Sequence, residues 1–259
     1  MRVTTLGDLV LDVIVRLDDS LVPGDDRPAT TRAGAGGQAA NVAAWVVESD
    51  GGARFVGKRG GDAAGELVSG ELSGCGVEVC GPVDGRTGIV VSIAAMGERT
   101  MASDRGSAPE LTSAELEPAW FGCDVLHLSG YSLQREPIAS ASARAAELAR
   151  EHGARVSVDL STWTGIDDTF RARVRALEPD LVFAGERERD AFGALDTSWI
   201  VKRGSEGVVV DGRAFAALET DVVDTTGAGD AFAAGYLVGG VELGLEAAAR
   251  CCARLGAMP

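Results

Sequence analysis

The sequence predicts an α/β fold: a mainly parallel central sheet with helices on both faces and a small β lid from the N-terminal half. Two observations predict it. From about Val125 onward, short β-branched runs alternate with helical ones, the pattern of a parallel sheet covered by helices. Before that point, strand-like segments are joined by turns rather than by helices, the pattern of a small antiparallel sheet.

In the C-terminal half, Val125 to Leu128 reads as a buried strand, and Ile138 to Arg150 as a helix with Pro137 near its start and Gly153 after its end. Val156 to Val158 and Leu181 to Ala184 read as further strands, with helices over Phe170 to Leu177 and Glu186 to Phe192. Ile200 to Lys202 and Val208 to Val210 add strands, the second turning at Asp211-Gly212, and two helices separated by little more than Gly239-Gly240 close the chain.

In the N-terminal half, Val13 to Val15, Thr30 to Ala33, and the pair Gly88 to Ala95 and Arg99 to Ser103 around Met96-Gly97-Glu98 read as strands. Lid strands are therefore expected at about 13–15, 30–35 and 86–104. Such a sheet cannot bury both faces, and covering a substrate cleft is a natural use for it.

At 259 residues the chain can bury roughly 70–75% of its unfolded surface, and with no long linker a single domain over 1–259 is expected. A formal charge of −15, without any Lys/Arg-rich run, argues against nucleic acid and anionic membranes as partners. The five cysteines, two of them adjacent, do not form a secreted-type framework and read as reduced thiols of a cytoplasmic protein. The apolar N-terminus is interrupted by Asp8 and Asp12, and reads as neither a signal peptide nor a membrane span. His127 and His152 lack metal-like spacing; the first reads as a core residue and the second as a helix-end cation.

The most informative segment is DTTGAGDAFAAGYL, Asp224 to Leu237. Gly227, Ala228 and Gly229 precede an apolar helical pattern, so backbone N–H groups at a helix N-terminus can approach an anion closely. Asp230 sits in the first turn. A lone aspartate there would be a cap held by the helix dipole, but a cap needs no GxG with a second acid and two threonines before it. Phosphoryl transfer to an alcohol needs oriented donors for the transferred group and a carboxylate to accept the hydroxyl proton, and this segment can supply both. It is neither a Walker A loop nor a dinucleotide fingerprint.

Asp224 to Leu237 resembles the C-terminal signature of the ribokinase-like carbohydrate kinases, the PfkB family. GGQAANVA, Gly36 to Ala43, resembles the N-terminal counterpart, and GDLVLD, GKRGGDAAG, LHLSGY, VSVDLS, PDLVFAGERE and VKRGSEG follow in family order. The resemblance implies a three-layer α/β/α sandwich with a β lid, and transfer of the γ-phosphate of ATP to a hydroxymethyl group of a sugar or sugar-like substrate. It implies Asp230 as catalytic base, Gly227, Ala228 and Gly229 as anion hole, and Asp12, Gly36, Gly37 and Asn41 as substrate contacts. Lys202, Gly204 and Gly207 match the nucleotide side. Glu188 would help order Mg²⁺ through water, and Asp224 and Thr226 match positions that bind a monovalent cation such as K⁺ in some members, although capping and turn roles suit them equally. A homodimer through the lid is implied by resemblance to ribokinases.

The sequence departs from the family pattern at Gly185, where asparagine is expected, and in the short stretches Ala191 to Trp199 and Asp230 to Leu255 that contribute to an adenine pocket. Two other readings use the same motifs: a nucleoside kinase of the same fold, and a sugar-binding homologue with weakened catalysis.

Overall fold

In the computed structural model, which describes residues 1–96 and 98–259, parallel pairing of short β-branched strands builds a large sheet. Its strands are β1 (Arg2–Leu6), β4 (Gly52–Val56), β5 (Glu78–Cys80), β8 (Val125–Ser129), β9 (Arg155–Asp159), β10 (Leu181–Gly185), β11 (Ser198–Lys202), β12 (Val208–Val210) and β13 (Arg213–Phe215). Among the described residues the order is β13-β12-β11-β10-β9-β8-β1-β4-β5, parallel except at β12 and β13. A second sheet contains β2 (Val10–Leu17), β3 (Thr30–Gly36), β6 (Thr87–Ala95) and β7 (Glu98–Gly106), in the order β3-β2-β6-β7. The expected turn at Met96-Gly97-Glu98 has its centre, Gly97, outside the described residues.

Successive strand residues point to opposite faces, and two cores result. On one face Val3, Phe55, Val125 and Phe183 pack with α1 (Gln38–Glu48), α6 (Ala228–Gly239) and α7 (Val241–Cys252), and α2 (Ala63–Gly74) adds Val68 and Leu72. On the other, Leu6, Leu126, Val156 and Val182 pack with α3 (Ile138–Glu151), α4 (Asp168–Ala176) and α5 (Glu186–Phe192). Helices thus cover both faces, as the sequence predicts.

The N-terminal half differs from expectation. Its strands are not joined by turns alone: β1, β4 and β5 enter the large sheet, and α1 and α2 lie between them. The reason is compositional. In α1 every residue from Ala39 to Val46 is buried, the polar Asn41 included, so the usual division into one buried and one solvated face is missing. The small sheet is also mixed rather than antiparallel, because β2 and β6 pair in parallel from Leu11↔Ile89 to Leu17↔Ala95. Their connection carries β3, α1, β4, α2 and β5, which is long enough for a parallel crossover.

Candidate active site

The residues of interest gather where the parallel strands end: Asp8 just beyond β1, Asp159 ending β9, Gly185 ending β10 and Lys202 ending β11. Open α/β sheets place ligands at this edge. The N-terminus of α6 meets the same edge. Gly227, its N-cap, has φ 79°, and a Cβ there would stand 2.6 Å from Ala257, so only glycine suits this left-handed, crowded position. Ala231 N–H closes the first helical bond onto Gly227 and Ala228 N–H turns back to Thr225. The N–H groups of Gly227, Gly229 and Asp230 have no protein acceptor among the described residues. Free amides at a helix N-terminus form a cradle for an anion.

Asp230 follows this cradle in the first turn of α6, and Asn41 Nδ2 donates to its Oδ2 at 2.8 Å. Asn41 is not a solvated helix residue. It is 5% exposed, and its Oδ1 is buried with no hydrogen-bond partner among the described residues. Burial pushes the Asp230 carboxyl up to about 7; the Asn41 bond opposes that rise, Asp159 adds to it, and Lys202 opposes it. Asp12, on β2, is pushed up to about 6 by burial alone. Its carboxylate presses against Gly36, where a Cβ would come within 2.0 Å of Oδ2, and Gly37 caps α1.

Lys202 is not an ordinary surface lysine. Its Nζ lies 2.5 Å from Oδ2 of Asp159, which is 1% exposed. A Cβ on Gly229 would be 3.3 Å from the same nitrogen, so the ammonium stands against the amide cradle. Gly204 and Gly207 lie beyond it, bounding the turn into β12. Glu188, in α5, accepts the Gly185 N–H at 2.5 Å through Oε2 and so caps its own helix. Asp224 braces the loop before α6, taking the Thr226 N–H at 2.9 Å and the Gly256 N–H at 3.0 Å.

Two participants escape sequence reasoning. Asp159 ends a buried strand, and an acid at the carboxyl end of an apolar run was the available signal. Arg105 of β7 reaches Asp8 with Nε at 2.5 Å and Nη2 at 2.8 Å, and donates to the Tyr131 carbonyl at 3.0 Å. That bidentate pair ties the small sheet to the loop after β1.

The donor set suits magnesium only through its water shell. No group of three His, Cys, Asp or Glu residues suited to a metal occurs among the described residues. Glu188 keeps Oε1 free of protein partners among the described residues, which suits an outer contact to a hydrated ion rather than direct ligation.

Comparison with known proteins decides the family. The family described as pfkB family carbohydrate kinase matches residues 2–258. The chain belongs to this family. Among curated relatives of this pfkB carbohydrate kinase, fructokinase-1 of Oryza sativa subsp. japonica is 31% identical, over 91% of this chain and 81% of that protein. The ATP-dependent ribose-1-phosphate kinase of Halopiger xanaduensis is also 31% identical, over 97% and 90%. The crystal structure of adenosine kinase from Sinorhizobium meliloti superposes on it with a TM-score of 0.86 at 27% identity, covering 99% of this chain and 95% of the other. The ribokinase-like α/β fold read from the sequence is the fold of this pfkB kinase. No helix among its described residues is long and apolar enough to cross a membrane.

Proposed function

We propose that the enzyme transfers the γ-phosphoryl group of ATP to a hydroxymethyl group of a sugar or sugar-like substrate, with Asp230 as general base and the Gly227–Gly229 turn as anion hole. The observation that carries this reading is Asp230, oriented by Asn41 at 2.8 Å beside three amides with no protein acceptor among the described residues. In the step, the substrate hydroxyl gives its proton to Asp230 as its oxygen bonds to phosphorus and the bond to the ADP oxygen breaks. The free amides take up charge on the transferred group. Asp12, Gly36, Gly37 and Asn41 read the substrate hydroxyls, the carboxylate accepting and Asn41 Oδ1, which has no partner among the described residues, offering a further acceptor. Lys202, Gly204 and Gly207 serve the nucleotide side. When bound, Mg²⁺ would supply charge neutralisation to the phosphates, with Glu188 touching its water shell. Asp224 and Thr226 are the place for K⁺ in this reading, and a potassium titration of activity tests that.

The small sheet is the lid of this single domain, held over the substrate by strands β2 and β6. Its outer face carries Val13, Val15, Val91, Ile93 and Ala102 side by side in register, and this half-exposed apolar row suits a homodimer through the lid.

A second reading, nucleoside kinase, has one observation in its favour. A groove of about 530 Å³ runs between the small sheet and Val222–Thr226, lined by the apolar Ile14, Leu17, Met96, Val222 and Leu255 and by the polar Arg16, Asp18, Ser92 and Asp224. Ile14 lies on the same face of β2 as Asp12, roughly 7 Å along the strand, so an apolar ring attached to the sugar has room there. Measuring ADP release over a panel of sugars and nucleosides tests both readings: release with sugars alone removes the second, and release with neither removes both.

A further inference from the structure

We propose that Lys202 is a catalytic residue that contacts the phosphoryl group during transfer, and that Asp159 is the positioning residue that holds it ready; this rests on the phosphotransferase reading above. Three observations converge on it. The Lys202 ammonium lies 2.5 Å from Asp159 and directly against Gly229 of the amide cradle. The pair is unequally exposed: the lysine side chain is 21% exposed and the aspartate 1%, so the lysine keeps some freedom to move while its counter-ion is locked in the interior. The register partner of Lys202 on β10 is Gly185, so the neighbouring strand sets no side chain beside the ammonium.

The rest of the local chemistry agrees. Asp159 is fixed from two sides, its Oδ1 accepting the Ser161 N–H at 3.0 Å while Oδ2 holds the lysine. Burial works against the charged lysine, but Asp159 outweighs it, with Asp230 and Glu188 assisting, and the pKa of Lys202 lies above its ordinary value. The ammonium therefore keeps its proton through the reaction. While the bond from phosphorus to the ADP oxygen breaks and that to the substrate oxygen forms, negative charge stays on the three equatorial oxygens. A flexible ammonium with three donors can turn toward one of these oxygens without leaving Asp159 entirely. The proton of the substrate hydroxyl goes to Asp230, not to Lys202.

Lys202→Met alone would leave Asp159 buried without its counter-ion, so the decisive variant is the pair Asp159→Asn with Lys202→Met, which removes both charges together. Two quantities are read: turnover by ADP release, and the ratio of ATP to ADP affinity by calorimetry with magnesium present. We expect kcat to fall about 10²–10³-fold with the acceptor KM little changed. The preference for ATP over ADP should shrink by about tenfold, because one charged contact to the terminal phosphate is gone. Lys202→Arg, which keeps the charge, should retain more turnover than the double variant; equal loss in both would overturn the proposal. So would a double variant within about threefold of wild-type kcat, or an unchanged ATP to ADP ratio. If no sugar or nucleoside raises ADP release by the wild-type protein above its acceptor-free rate, the phosphotransferase reading fails by itself. The affinity ratio then still decides whether Lys202 meets the terminal phosphate: a reduced ratio in the double variant upholds the contact, and an unchanged one removes it.

Discussion

Asn41 and Asp230, 189 positions apart in sequence, are joined by a 2.8 Å hydrogen bond from the amide of α1 to the carboxylate of α6. The bond favours the ionised form of Asp230 and so opposes the rise that burial causes. Asn41→Ala should therefore do two things. It should lower kcat by roughly 10–100-fold through loss of orientation, and it should move the acid limb of the kcat/KM profile to higher pH. A lowered rate with an unmoved limb would show that Asn41 acts on substrate alone.

For the wild type, Asp230 accepts a proton only as a carboxylate, and with its pKa raised to about 7 the rate should climb as pH rises through neutrality. Asp230→Asn should cut turnover by roughly 10²–10⁴ and leave substrate binding in place. Stability gives an independent check. A carboxyl whose folded pKa lies above its unfolded value costs stability as pH rises from the unfolded toward the folded pKa, here from about 4 to about 7. The asparagine variant should therefore melt several degrees above wild type at pH 8, and that gain should shrink toward pH 4. A variant with near-normal turnover would reduce Asp230 to a helix cap.

Much of the C-terminal half is legible because its period changes clearly from strand to helix. The helix Glu186–Phe192 and the strand Val208–Val210 stand at the bounds their residues suggest, and the turn at Asp211-Gly212 leads into β13. The N-terminal helices are less legible: α1 is buried from Ala39 through Val46 with Asn41 among its buried residues, and α2 contains three glycines, Gly65, Gly70 and Gly74. The site shows the same division. Asp230 and the glycines before it form one contiguous motif, whereas the Asp159–Lys202 pair joins strands separated by β10, and that adjacency exists only once strand order is known.

The tether from Arg105 to Asp8 bears on how the small sheet moves. Its oxygens and nitrogens are largely shielded, with the two side chains 17% and 10% exposed, so the pair resists opening. Hydrogen exchange with and without saturating substrate should show added protection in Val13–Val15 and Gly88–Ala95. Protection near Arg105 should change least, because that end is already fixed. Equal exchange in both states across Val13–Val15 and Gly88–Ala95 would remove the lid from the mechanism.

Gly185 offers the sharpest test of whether catalysis is weakened, because the family pattern leads one to expect an asparagine there. The backbone accepts one: φ is −78° and ψ 170°, a favourable N-cap conformation. Space is tighter, since a Cβ would stand 3.3 Å from Glu188 Oε2, and Glu188 would have to give by a few tenths of an ångström. An added amide would supply a donor toward the phosphates or the metal water shell, in a place that Lys202 faces from the adjacent strand. If the lysine charge already serves that region, Gly185→Asn should change the apparent ATP affinity by less than about threefold, the equivalent of under ~1 kcal/mol. The half-saturating Mg²⁺ concentration should fall by a similar small factor, because an amide steadies bound water without adding charge. A gain of tenfold or more in kcat would mean that the glycine is a real deficit, and that the wild-type chain is a catalytically weakened member of its family. Measured in the Asp159→Asn, Lys202→Met background, the same substitution should help more than in the wild type, since the two groups then no longer share the task.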